Sequence, residues 1–333
     1  MEILIQSAIE LGMFAGKALV VLAVVGGIAL VLAAVALRAR GGRESLELEN
    51  LNHKFDNFAD ALKTQLLGKK ALKADQKDKK KKSKSAPEKD RPRLFVLDFE
   101  GDIAASQVDS LRDEVTAVLS VAQPRDEILV RLESPGGRVH GYGLAAAQLE
   151  RIKSYGIPLT VAVDRVAASG GYMMACVGKK IIAAPFAIVG SVGVIAQVPN
   201  LHRLLKKYDI DYEEYTAGEF KRTVSYLGEI SPKGRQKFME QLEDTHQLFK
   251  EFIRRQRPQV NVDQISTGEY WMGIQAKDLK LVDEISTSDE YLFQRRAEMQ
   301  IYRVKVRMKK SLSDKLSEAV SMSVHKIWNR LAQ

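Results

Sequence analysis

Two short stretches pair a serine with adjacent glycines: Ser134-Pro135-Gly136-Gly137 and Ala168-Ser169-Gly170-Gly171. Each follows an apolar run, EILVRLE in one case and PLTVAVD in the other. A serine at the end of a buried strand is either the cap of a tight turn or a nucleophile held at a strand-to-helix turn. Glycine pairs leave backbone N–H groups uncovered by a Cβ, and two such groups converging on one point form an oxyanion hole for acyl transfer. Neither turn matches a phosphate-binding loop, since no G-x-x-x-x-G-K-S/T and no G-x-G-x-x-G follows a strand here.

A serine nucleophile needs a base. The five histidines, His53, His140, His202, His246 and His325, stand in no catalytic motif. Lysine also serves as a base for serine when burial or a neighbouring cation keeps it neutral. Lysines abound, so the chemistry alone selects none. Lys221, in YTAGEFKRTVS, is a candidate because it lies in a mixed, turn-like segment and not in a charge run. Cys176, the only cysteine, excludes an intrachain disulfide and a cysteine-based zinc cluster. Set among Met173, Met174, Ala175 and Val177, it reads as a small core residue and not as a nucleophile. No cofactor or metal is called for.

These turns must be carried by a scaffold, and from Leu94 onward the chain supplies one. LFVLDFEG, EILVRLE and PLTVAVD read as strands, with helical spacing over Gln107–Val121 and Tyr142–Tyr155 between them. KKIIAAPFAIVGSVGVIAQV reads as two further short strands, Ser231–Arg257 as a long amphipathic helix, and Tyr270–Ile285 as a short helix leading to a last strand. Strands alternating with helices of this length imply crossover units and a parallel, helix-covered sheet. Beyond Gln300 the chain is basic and reads as helical.

The N-terminal part has another character. Ala18–Leu37 holds 20 uncharged residues between Lys17 and Arg38, which at 1.5 Å per residue spans about 30 Å, a bilayer core. A cleaved signal peptide is the alternative, but the run is long for one and the residues before it carry two acids and one lysine. Ser45–Leu67 carries leucines and phenylalanines at three-to-four spacing and is expected to be an amphipathic helix. Leu67–Arg93 is lysine-dense with few large apolar residues, and is expected to be a solvated linker open to anionic lipid. From Arg38 to Arg93 there are 17 Lys and Arg against 9 Asp and Glu, so this segment carries nearly all of the net +9. The folded part is close to neutral, which argues against a nucleic-acid-binding surface. The expected organisation is an anchor over 1–43, helix and linker over 44–93, a catalytic domain over 94–290 and a basic arm over 291–333.

As a set, SPGG, AASGGYMMA, APFAIVGSVGV and AGEFKR, in this order, resemble the signal peptide peptidase A family of membrane-bound Ser-Lys proteases. The resemblance implies Ser169 as nucleophile, Lys221 as general base, Ser191 as the hydroxyl orienting that lysine, and Gly137 and Gly170 as the oxyanion hole. It implies a ClpP/crotonase-like spiral of βαβ units, a homo-oligomer, peptide or protein substrates and a single-pass place in the bacterial inner membrane. It places the catalytic domain on the outer face, whereas Arg38, Arg40 and Arg43 directly after the span favour the cytoplasmic side. The run Tyr172-Met173-Met174 is less aromatic than in many relatives and bears on pocket preference. Three readings compete. An acyl-CoA hydratase or isomerase on the same fold would need no serine–lysine pair. A Clp-type Ser-His-Asp peptidase lacks a histidine between Ser169 and His202. A non-catalytic membrane scaffold would not need every motif intact.

Overall fold

The computed structural model describes residues 44–68 and 91–308. The expected transmembrane segment 18–37, the Lys-rich linker beyond Gly68 and the chain after Met308 lie outside the described residues. Among the described residues no helix is long and apolar enough to cross a membrane.

The main sheet has seven strands in the order β1-β10-β2-β3-β4-β6-β9. They are β1 (Glu44–Asn50), β2 (Arg93–Glu100), β3 (Glu127–Glu133), β4 (Leu159–Val163), β6 (Lys180–Ala183), β9 (Glu284–Ile285) and β10 (Gln300–Met308). From β10 to β9 every pairing is parallel. Helices α2 (Val108–Leu119) and α3 (Val139–Ser154) make the crossovers between β2 and β3 and between β3 and β4. Parallel strands covered on both faces are apolar on both, and β4 is buried at all five positions.

Alternation assigns the residues to two cores. Phe95, Leu97, Phe99, Val130, Leu132 and Val161 face α2, α3 and the small helix α4 (Gly170–Ala175). Leu94, Val96, Leu129, Ala162, Ile182 and Ile301 face the other way, onto Leu51 of α1 (Leu51–Leu66) and onto Tyr291 and Leu292 of α9 (Ser288–Arg295). Further along this second face, Asp98 accepts from the Nε groups of Arg131 and Arg303, each at 2.6 Å. Burial opposes the charge on Asp98, but the two guanidiniums prevail and hold its carboxyl below the usual range.

Three expectations are corrected here. Residues 44–50 form a strand and not the start of a helix: Leu46 and Leu48 alternate at period two before Asn50 caps α1 through the His53 N–H. Residues 300–308 form a strand, with Ile301 and Val304 buried on opposite faces. The sheet therefore runs outside the expected 94–290 limits. The Asn52 side chain ties α1 to this strand, accepting from the Ile301 N–H at 2.7 Å and donating to the Met299 and Arg296 carbonyls.

A second sheet, absent from the sequence reading, has the order β5-β7-β8: β5 (Val166–Ala168), β7 (Ile188–Gly190) and β8 (Tyr270–Met272). It meets the main sheet at a parallel bridge between Ser134 and Ala167. The remaining helices are α5 (His202–Lys207), α6 (Pro232–Gln256), α7 (Val262–Ile265) and α8 (Gly273–Asp278). In α6 Pro232 follows the Ser231 cap, and Phe249 and Ile253 are buried.

Candidate active site

The two Gly-containing turns lie side by side where the sheets meet. The Ser134 N–H donates to the Val166 carbonyl at 2.8 Å and the Ala168 N–H to the Ser134 carbonyl at 3.0 Å, so β3 and β5 hold each other at their ends. Ser169, next along β5, turns into α4 with φ +53° and ψ −117°. A non-glycine residue in that region is strained by roughly 1–3 kcal/mol and persists only where its surroundings fix it. What fixes Ser169 is its N–H, which donates to the Gly190 carbonyl at 2.8 Å, and its carbonyl, which accepts from Met173 in α4. The side chain stays half-buried, open to a ligand.

The glycines keep the turns slim. A Cβ on Gly136, where φ is +89°, would come 2.7 Å from the Ala168 carbonyl oxygen and 2.8 Å from both the Gly170 nitrogen and the Ser169 Cβ. One on Gly137 would come 2.2 Å from the Ile103 carbonyl oxygen, and one on Gly170 would run into the Tyr142 ring at 2.4 Å. The Gly170 N–H opens the first turn of α4 and so has no partner within that helix. Gly137 is exposed, and its N–H donates to no acceptor among the described residues. Uncommitted N–H groups on turns packed around a serine are the equipment an oxyanion hole requires.

Ser191 follows β7 directly and also has positive φ, +52°. Because the Ser169 N–H is bound to Gly190, the two serines stand on neighbouring strand ends. The Ser191 N–H donates to the Glu269 carbonyl at 2.7 Å, and its hydroxyl makes a long contact to the Gly268 carbonyl, 3.4 Å.

Lys221 is placed otherwise. It is exposed, within residues 208–230, which contain no helix or strand. This segment is tied to itself around Ser225: the Ser225 hydroxyl accepts from the Gly228 N–H at 3.0 Å, and Asn200 donates to the carbonyls of Ser225 and Gly228. Arg222 pairs with Glu214, and Lys233 with Glu219, on either side of Lys221. No hydrogen bond from the Lys221 ammonium to Ser169 or Ser191 is present among the described residues. The structure thus brings together Ser169, Gly170 and Gly136, with Gly137 next along the chain and Ser191 on the neighbouring strand end, and leaves Lys221 on a separate exposed segment.

Other residues take clearer roles. Cys176 is fully buried, and burial pushes its thiol far above the usual range, consistent with a core residue. Tyr172 and Met174 are also fully buried, so that run belongs to the core and, apart from partly buried Met173, has no side chain free to line a pocket. The sequence carries no signal for Tyr142, which looks like any aromatic on a helix. It is fully buried, its ring under Gly170 and its hydroxyl 2.5 Å from the Ser134 Oγ.

Comparison with known proteins decides the family. The chain matches the Peptidase family S49 N-terminal model over residues 6–149 and the Peptidase family S49 model over 151–301. It is 55% identical to the "Probable protease SohB" of Haemophilus influenzae over 253 residues, 76% of this chain and 72% of that protein. The chain belongs to peptidase family S49. The "Putative protease SohB" of Buchnera aphidicola subsp. Baizongia pistaciae is 51% identical over 67% of this chain and 64% of its own. The "Protease 4" of Haemophilus influenzae is 26% identical over 60% of this chain and 33% of its own. Within S49 the likeness is thus to SohB-type proteases, and the chain is a peptidase with a mixed α/β fold.

Proposed function

We propose that this peptidase is a serine endopeptidase working through a Ser169–Lys221 dyad on a ClpP/crotonase-like scaffold. The observation that carries the reading is Ser169 itself: a strained serine at a strand-to-helix turn, with the Gly170 N–H next to it and the Gly136–Gly137 turn packed against it. In the proposed cycle Lys221, unprotonated, takes the hydroxyl proton as the Ser169 Oγ attacks the scissile carbonyl carbon. The carbonyl oxygen becomes an oxyanion on the Gly137 and Gly170 N–H groups. As the C–N bond breaks, the lysine ammonium passes the proton to the leaving amine. Water, activated by the same lysine, then hydrolyses the Ser169 ester and restores the hydroxyl. Ser191 orients the lysine in this reading.

For Lys221 to serve, its segment must close on Ser169. The exposed Tyr208, Tyr212, Tyr215 and Phe220 in that segment support closure against a bound polypeptide or assembly of several identical copies. The apolar run 18–37 supports a single-pass inner-membrane anchor, and signal-peptide remnants or membrane-proximal polypeptides are the proposed substrates.

The test is peptide hydrolysis by the detergent-purified chain, comparing wild type with Ser169→Ala across pH. The reading expects the variant to fall to background, a loss on the order of 10⁶-fold, and wild-type activity to rise towards alkaline pH, since a base must be unprotonated to act. Undiminished hydrolysis by Ser169→Ala, or a flat profile from acid to alkali, would overturn it.

A further inference from the structure

We propose that Tyr142 is a positioning residue whose hydroxyl, acting through Ser134, sets the Gly136–Gly137 arm of the oxyanion hole against Ser169. This deepens the serine peptidase reading and rests on it.

A phenol has one proton, and the Tyr142 hydroxyl donates it to the Asp102 carbonyl at 2.8 Å, an oxygen that can only accept. In the 2.5 Å contact between the Tyr142 Oη and the Ser134 Oγ, Ser134 must therefore be the donor. With its proton committed, the Ser134 Oγ accepts from the Gly136 N–H at 3.0 Å. The result is a one-way chain: Gly136 N–H to Ser134 hydroxyl, to Tyr142 hydroxyl, to Asp102 carbonyl. Each bond polarises the next, and both hydroxyls lie in fully buried residues.

The chain ties together two loops and helix α3. Its acceptor end is in the loop after β2, where a Cβ on Gly101 would come 2.4 Å from both the Ser134 Oγ and the Tyr142 Oη. Its donor end is the left-handed Gly136, whose own nitrogen is thereby engaged while that of Gly137 is left uncommitted. Its middle is a ring on which Gly170 sits. The same loop after β2 holds the far side of the arm, since the Arg138 N–H donates to the Ile103 carbonyl at 2.8 Å. Burial holds the phenol of Tyr142 above its usual range, so it keeps its proton at working pH.

Tyr142→Phe keeps the ring under Gly170 and deletes only the hydroxyl. A misplaced oxyanion donor harms the transition state and spares ground-state binding. The expected result for the full chain on a peptide substrate is a fall in kcat of about 10- to 100-fold, with KM within about twofold. Affinity for a peptide boronate, which forms a tetrahedral adduct on serine, should fall in the same proportion as kcat. Ser134→Ala should behave alike, and the double variant should be no worse than either single, because both cut one chain. Thermal melting checks that each variant is folded, and Ser134→Ala carries the test if Tyr142→Phe is not. Wild-type kcat and boronate affinity in a folded Tyr142→Phe would overturn the proposal, as would a rise in KM at unchanged kcat or additive losses in the double variant. If the wild type itself binds no boronate and its activity survives Ser169→Ala, the serine peptidase reading has failed. That outcome is distinct from failure of the Tyr142 role.

Discussion

The region around Ser169 and the region around Lys221 are built on opposite terms. The first is crowded: Ser134, Ala167 and Tyr142 are buried, two strand ends bridge each other, and a methyl group fits on neither Gly136 nor Gly137. The second is open, with Lys221 exposed in a stretch pinned chiefly by the hydrogen bonds around Ser225. The difference teaches which half of the chemistry the fold prepares in advance. On the proposed reading, the nucleophile stands where packing is tight, whereas the proposed base sits on an exposed, irregular segment.

The largest test of this contrast is Lys221→Ala. Activity should drop by about 10²–10⁴-fold, the worth of a general base, while the denaturation midpoint stays within error of wild type, since an exposed lysine supports no packing. A drop in stability with activity retained would reverse the roles given to the two regions. Gly136→Ala is the converse experiment. A Cβ there meets backbone atoms at 2.7–2.8 Å, so it should cost about 1–3 kcal/mol in urea unfolding and displace the oxyanion arm.

Asp98 sharpens the comparison by showing what a fixed charge does. Its carboxyl is held below the usual range by Arg131 and Arg303, so its contribution is complete above the ordinary Asp value of ~3.9 and fades as pH falls through the lower folded-state value. Asp98→Asn should destabilise the fold by about 1.5–3 kcal/mol at neutral pH, and the gap to wild type should narrow below about pH 4. A gap that widens with acid would contradict the ion-pair assignment. The smallest effect is expected at Gly218, whose φ is +96° but which has no atom within 4 Å of an added Cβ. Gly218→Ala should cost roughly 1 kcal/mol of local strain, visible as faster amide exchange near Lys221 and not as a shift of global unfolding.

The same contrast explains what was legible in the sequence. Strands β2, β3 and β4 and their crossover helices announce themselves by apolar runs and helical periodicity, and the SPGG turn falls at the end of β3 as expected, whereas Ser169 follows β5 of the second sheet and not the end of β4. Strand β1 was hidden because Leu46, Leu48 and Leu51 also fit a helical stripe, and β10 because its basic residues mask the period-two pattern of Ile301 and Arg303 against Tyr302 and Val304. Tertiary pairing settles such short elements, and pairing is not written locally. The role of Tyr142 was illegible for the same reason: its hydroxyl partners come from residues 134 and 102, and only the fold brings them to one point.

The central claim is that Ser169 is the nucleophile of this peptidase. It is tested most directly by reacting the detergent-purified chain with a fluorophosphonate and mapping the modified residue by peptide mass spectrometry. The account predicts a single adduct on Ser169, lost in Ser169→Ala and strongly slowed in Lys221→Ala. An adduct on Ser134, Ser191 or another serine, with Ser169 unmodified, would contradict it.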